Sequence, residues 1–160
     1  IPATVTILSQ KTNAAEATTK GIELSGAFPL TDWLSGTASY TWTDARITKD
    51  DTGTGLLDKR LVYVPRHMAS LGLKAKYRDW SGNLSTRYSG LMYTNATNSD
   101  VIKDVYTGSS QYWITDLKIG YRIGKTVEAS LMVNNLFDEL YYQYYRMPGR
   151  NVALELSAKF

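Results

Sequence analysis

Apolar side chains recur at every second position along most of this chain, in segments of about ten residues separated by polar stretches. The last segment, NVALELSAKF, shows the pattern: Val152, Leu154, Leu156, Ala158 and Phe160 share one parity, while Glu155 and Lys159 fall on the other. A period of two places alternate residues on opposite faces of an extended strand, whereas a helix needs a period near 3.6. Helical spacing is hard to find anywhere. The alternation predicts eight strands, at residues 4–9, 20–28, 34–44, 67–77, 83–93, 112–123, 126–135 and 151–160, with the first truncated. The 160 residues carry no compositional break and read as one unit.

The connections alternate as strictly as the residues do. Tight turns are predicted at PLTDW, RDWSG and GK, and long polar loops at residues 10–19, 45–66, 94–111 and 136–150. Consecutive antiparallel strands joined in this way keep every long loop at one end. Outer-membrane barrels have that asymmetry, with short periplasmic turns and long extracellular loops.

One parity of the predicted strands is free of charge, for instance Leu71, Leu73 and Ala75, or Leu117, Ile119, Tyr121 and Ile123. The other parity holds Glu23, Lys74, Lys76, Arg87, Asp116, Lys118, Arg122, Glu128, Glu155 and Lys159. A soluble β-sandwich also separates its faces, so alternation alone leaves lipid and a protein core as alternatives. The large aromatics favour lipid. Trp42, Trp113 and Phe137 fall at the loop ends of their strands, and Phe28, Tyr77, Tyr121 and Phe160 at the turn ends, as in the two girdles of a membrane barrel. The fold class expected is therefore all-β, with antiparallel up-and-down transmembrane β-barrel strands. No apolar run approaches the ~20 residues of a membrane helix.

Several function classes find little support. Eighteen basic against 15 acidic side chains leave a net charge of +3 with no Lys/Arg run, which argues against a nucleic-acid partner. The lack of cysteine removes disulfides and thiolate metal sites. His67 is the one histidine, without partners at ligand spacing, so neither a metal centre nor a catalytic triad is expected, and no cofactor. The chain begins on Ile1, without the basic start or cleavage site of a signal peptide, and reads as cut from within a larger protein.

The ordered motifs resemble a known family. NNLFDELYY at residues 134–142, then PGR at 148–150 and an alternating strand ending in Phe160, resembles the C-terminal end of TonB-dependent outer-membrane receptors. TTKGIELSG at 18–26, ASYTWTDARI at 38–47 and VPRH at 64–67 agree with the same family, in the right order. The resemblance implies that residues 1–160 are the last strands of a larger barrel, preceded by further strands and a plug domain that contacts TonB. It also implies an outer-membrane location and uptake of a scarce nutrient, most often a ferric siderophore and sometimes cobalamin. Phe160 would then be the terminal aromatic that resembles the signal read by the barrel-assembly machinery.

Candidate residues follow from both readings. In YYQYYR, Tyr141, Tyr142, Tyr144 and Tyr145 stand beside Arg146, a set that can stack on and hydrogen-bond an anionic, ring-bearing chelate. The alternative is that these tyrosines extend the upper girdle and Arg146 meets lipid headgroups. Arg87, Asp116, Lys118, Arg122 and Glu128 lie on the wet parity of neighbouring strands, where opposite signs can pair, line a passage or touch a plug. Their neighbours on that parity are mostly small and polar, which suits a wide lumen better than the filled interior of an eight-stranded barrel. Asn134, Asn135 and Asp138 read as a strand-to-loop cap. Two other readings remain at this point: a self-contained eight-stranded barrel with an adhesive or structural role, and a soluble β-sandwich binding module. Enzymatic activity is a distant third.

Overall fold

In the computed structural model, which describes residues 15–51 and 53–159, the chain is a single layer of antiparallel strands. The strands are β1 (Ala15–Thr31), β2 (Leu34–Asp50), β3 (His67–Tyr77), β4 (Trp80–Ser89), β5 (Tyr112–Ile123), β6 (Val127–Asn134), β7 (Tyr142–Gln143), β8 (Tyr145–Arg146) and β9 (Asn151–Ala158). Seven of them form one sheet in the order β1-β2-β3-β4-β5-β6-β9, so every neighbour in the sheet is the next long strand in sequence. The short β7 and β8 pair with each other inside the last long connection. The first predicted strand, at residues 4–9, lies outside the described residues, as does Phe160.

Tight turns at 32–33, 78–79 and 124–126 close one end, and loops 51–66, 90–111 and 135–150 close the other. At the second turn Arg78 takes φ 53°, so Trp80 pairs directly with Tyr77. RDWSG was expected to be a turn as a whole, but β4 begins at Trp80 because that residue completes the ladder and its ring packs 4.7 Å from that of Tyr121. The same strand ends at Ser89, four residues short of its expected end.

The ladder registers put all residues of the dry parity on one face. One row runs Gly36, Leu73, Leu84, Leu117, Val133 and Val152 from β2 to β9. The ring of Phe28 lies over Gly36, where a Cβ would collide with it, so an aromatic covers the bare backbone of the neighbouring strand. Two polar residues of this face, Thr86 and Thr115, sit opposite each other and share a hydrogen bond of 3.1 Å. That pairing keeps their hydroxyls satisfied away from water.

No second layer covers the apolar face among the described residues. Leu154 is 84% exposed and Leu156 73%, and among the described residues the buried hydrophobic side chains are Ala45, Ile47, Ile114 and Tyr141, near or beneath the long loops. A soluble sandwich would bury this face against a second sheet. A bare, continuous apolar face needs an apolar solvent instead.

The aromatics of this face form two rows. Tyr40, Tyr88 and Trp113 stand at one level, with Trp42 two residues further on and the Tyr88 and Trp113 rings 4.8 Å apart. Trp33, Tyr77, Trp80 and Tyr121 cluster at the turn end, with Trp33 edge-on to Tyr77 at 6.3 Å. Trp80 to Tyr88 and Trp113 to Tyr121 each span eight residues, about 26 Å along a strand or about 20 Å vertically at a tilt near 40°, which sets the two rows near the edges of the ~25 Å apolar band of an outer-membrane barrel.

Trp42 departs from expectation in one respect. It was placed at the loop end of its strand, yet β2 runs on to Asp50, paired with β1 back to Ala15. The level of Trp42 is nevertheless a boundary, because it sits opposite His67, the first residue of β3. Residues 15–19 and 45–50, expected in loops, continue the ladder above that level.

Candidate functional site

The wet face of the sheet and the three long loops are where a ligand, a plug or water would meet this chain. Its central rows are lined by Ser25, Ser39 and Ser70, then Ala27, Thr37, Gly72 and Ser85, with Ser39 and Ser70 sharing a hydrogen bond of 2.8 Å. Charged groups interrupt this polar wall in pairs. Arg87 Nη1 donates to Asp116 Oδ2 at 2.7 Å, Lys118 Nζ reaches over β6 to Glu155 Oε2 at 3.1 Å, and Arg122 Nη2 donates to Asp79 Oδ1 at 3.0 Å. Glu128 lies opposite Arg122 in the ladder, but Arg122 turns to the Asp79 carboxylate in the adjacent tight turn. The Glu128 carboxylate leans instead over Gly120, which has no side chain to block it.

The Arg87–Asp116 pair supports a loop as well as a strand. While Oδ2 of Asp116 holds the guanidinium, its Oδ1 accepts the backbone N–H of Asn135 at 2.9 Å. Asn135 is 4% exposed, at φ 52°, and its side chain accepts from Glu139 N at 2.8 Å and donates to Glu139 O at 2.9 Å. Asp138 then accepts the backbone N–H of Arg150 at 2.7 Å, pinning the far end of the same loop. NNLFDE is thus a cap built from short polar side chains bonding nearby backbone.

The tyrosine-rich stretch does two different things. Tyr141 is buried and its ring packs 4.4 Å from that of Tyr112, whose hydroxyl accepts from Gln143 Nε2 at 2.6 Å. Tyr142 is half-buried and its backbone N–H donates to Ser110 Oγ at 3.0 Å, stitching this loop to loop 90–111. Tyr144, Tyr145 and Arg146 are exposed, with Tyr144 at φ 66° on the tip of the β7–β8 hairpin. Tyr106, from loop 90–111, joins them edge-on to Tyr145 at 5.4 Å, and Tyr144 meets Tyr145 at 5.0 Å. Tyr106 was not singled out in the sequence, where 39 residues separate it from Tyr145 and no local pattern marks it.

The loops also clamp one another. Arg60 N donates to Asn98 Oδ1 at 2.7 Å and Asn98 Nδ2 donates back to Arg60 O at 3.0 Å, while Tyr63 N donates to Tyr93 O at 2.8 Å. Thr107 N and Ser110 N donate to the carbonyls of Tyr144 and Tyr142 at 2.7 and 2.9 Å. The result is a continuous loop layer at one end of the sheet. His67 lies on the apolar side with its Nδ1 2.8 Å from the Tyr40 hydroxyl, and no cluster of three metal-ligating side chains exists among the described residues. A groove on the apolar face, between Trp80, Ile119, Tyr121, Leu131, Leu154 and Leu156, suits an acyl chain better than a polar chelate.

Comparison with known proteins places this geometry. The family model described as TonB dependent receptor-like, beta-barrel matches residues 2–136. The ferrioxamine B receptor of Salmonella typhimurium strain SL1344 is 36% identical over 132 residues, covering 79% of this chain and 18% of that protein. The ferrichrome outer membrane transporter/phage receptor of Escherichia coli K12 is 34% identical over 132 residues, covering 79% and 17%. Among solved structures, the siderophore receptor PiuA from Acinetobacter baumannii superposes with a TM-score of 0.79 at 23% identity, over 92% of this chain and 22% of that one. The chain spans about a fifth of the length of the proteins it matches. The β7–β8 hairpin lies beyond the span that the family model matches.

Proposed function

Because the chain belongs to the TonB-dependent receptor family through its β-barrel, we propose that it is a section of barrel wall in an outer-membrane receptor that takes up a ferric siderophore. The observation that carries this is the family match over residues 2–136, joined to relatives whose names give ferrioxamine B and ferrichrome as their ligands. In this reading residues 1–160 supply C-terminal strands, the apolar face meets membrane lipid, and the wet face lines the lumen. Energy coupling to TonB runs through a plug contributed by other parts of the receptor, and the barrel-assembly machinery recognises the C-terminal strands. The role is transport, with no catalytic step assigned to any residue.

Within the loop layer, the exposed Tyr106, Tyr144, Tyr145 and Arg146 form the ligand-contacting surface. Three ring faces and edges beside a guanidinium suit a chelate that is both anionic and aromatic. Tyr141 and Tyr142 act beneath it as supports. Arg87, Asp116, Lys118, Arg122 and Glu128 face the lumen, where Arg87 and Asp116 hold the base of the hairpin loop.

Cells expressing the full-length receptor, compared with a deletion strain, test this with radiolabelled iron supplied as hydroxamate, catecholate or citrate chelates. At least one chelate should raise energised uptake, and Tyr144→Ala with Arg146→Ala should weaken its binding about tenfold, a loss of about 1.4 kcal/mol. Uptake no greater than in the deletion strain for every chelate would reject the reading.

A further inference from the structure

Above the level of Trp42 the outward parity of the β1–β2 hairpin changes from apolar to charged. Asp44 and Arg46 follow Trp42 on the same face, and Lys20 stands opposite Asp44 across the ladder. Arg60, from loop 51–66, forms a bridge with Arg46 and so presents its side chain on that face too. The Asp44 carboxylate accepts from Arg46 Nε at 3.0 Å and lies 3.9 Å from Arg60 Nη2, which also donates to the Thr43 carbonyl at 3.2 Å. Burial, and then the nearby Arg66 guanidinium, hold Arg60 below the ordinary arginine value. Lys20 makes no ion pair among the described residues. Three cations, Lys20, Arg46 and Arg60, therefore stand around one carboxylate on this face.

Height and facing decide what anion can reach them. Asp44 and Arg46 lie two and four residues beyond Trp42, about 7 and 13 Å along the strand, or about 5 and 10 Å vertically at a tilt near 40°. Asp44 thus falls within the headgroup layer, which adds about 6 Å to each side of the hydrocarbon, and Arg46, just above it, folds back so that its Nε meets Asp44 at 3.0 Å. The opposite parity of the same strand is closed: Ala45 and Ile47 are 2% and 7% exposed, with loop 51–66 hydrogen-bonded alongside through Leu61 N to Ala45 O and Ile47 N to Lys59 O. The backbone of β2 thus separates the cluster from the lumen side, where a transported anion would pass.

We propose that Lys20, Arg46 and Arg60 form a binding surface for the phosphate groups of outer-leaflet lipid headgroups, against the wall made by β1 to β3. This rests on the reading of the apolar face as lipid-facing. Charge complementarity supplies the recognition, and the girdle of Tyr40, Trp42 and His67 just below fixes the depth at which the phosphates arrive.

The full-length receptor in detergent micelles, titrated with bis-phosphorylated lipid A and with its dephosphorylated form and read by native mass spectrometry, tests this. The receptor should retain the phosphorylated form better, and Arg46→Gln combined with Arg60→Gln should lower that retention about tenfold or more. Lys20→Gln, at an exposed position whose loss leaves no partner unpaired, should lower it about fivefold and serves should the double variant not fold. Heat-modifiable gel migration separates the two levels: a receptor lacking it would defeat the barrel reading, while variants that keep it report on the lipid site alone. Equal retention of both lipid forms, or unchanged retention in folded variants, overturns the proposal. Complete displacement by millimolar inorganic phosphate overturns it too, since the cluster would then be a site for free anions.

Discussion

Asn135 holds the entry to the last long loop. It is buried, adopts a left-handed backbone that asparagine tolerates better than most residues, and closes two hydrogen bonds on Glu139 while its own N–H rests on Asp116. Asn135→Ala leaves the Glu139 amide and carbonyl without partners, so a loss of about 2 kcal/mol is expected, read as a lowered midpoint when the full-length receptor is unfolded by urea in lipid vesicles. Asp116→Asn tests the link downward. A neutral amide weakens the bond to Arg87 and competes poorly for the Asn135 N–H, so ligand binding should fall about tenfold while unfolding in vesicles shifts by under about 1 kcal/mol. Unchanged affinity in Asp116→Asn would separate the lumenal ion pair from the loop.

For the strands, the two parities predict opposite responses to the same substitution. Leu84 lies midway between Trp80 and Tyr88 on the apolar face, and Leu84→Arg should cost about 2–4 kcal/mol, the penalty for a cation at the membrane midplane. Ser85→Arg, its immediate neighbour on the wet face, should cost under about 0.5 kcal/mol. Urea titration of both variants in the same vesicles compares them directly. These parities were legible in the sequence because lipid and lumen impose a period of two wherever both are present. Where they are absent the pattern fails: residues 15–20 and 43–50 lie above the hydrocarbon on their outward side, so Lys20, Asp44 and Arg46 break the apolar alternation although the ladder continues. Trp80 was missed for a different reason. Asp79 and Gly82 around it look like turn residues, and only the stacking on Tyr121, 41 positions away, places it in a strand. The exposed aromatic group on the loops was half visible, since Tyr144, Tyr145 and Arg146 are contiguous while Tyr106 arrives through tertiary structure.

At the scale of the whole molecule, β1 and β9 are both edge strands, each paired on one side only among the described residues. Unpaired edges and an open apolar face promote association. The 160-residue chain alone, refolded in detergent and measured by sedimentation, should therefore appear as species heavier than its 17.9 kDa monomer. The central claim is that one face of this sheet meets lipid and the other a water-filled or plugged lumen. The chain has no cysteine to interfere, so single cysteines at residues 82 to 87 of a cysteine-free full-length receptor in intact outer membranes measure it most directly. Positions 83, 85 and 87 should react with a water-soluble maleimide, and 82, 84 and 86 should resist it while spin labels placed there relax with lipid-dissolved oxygen. Labelling without that period of two, or with the parities exchanged, would contradict the account.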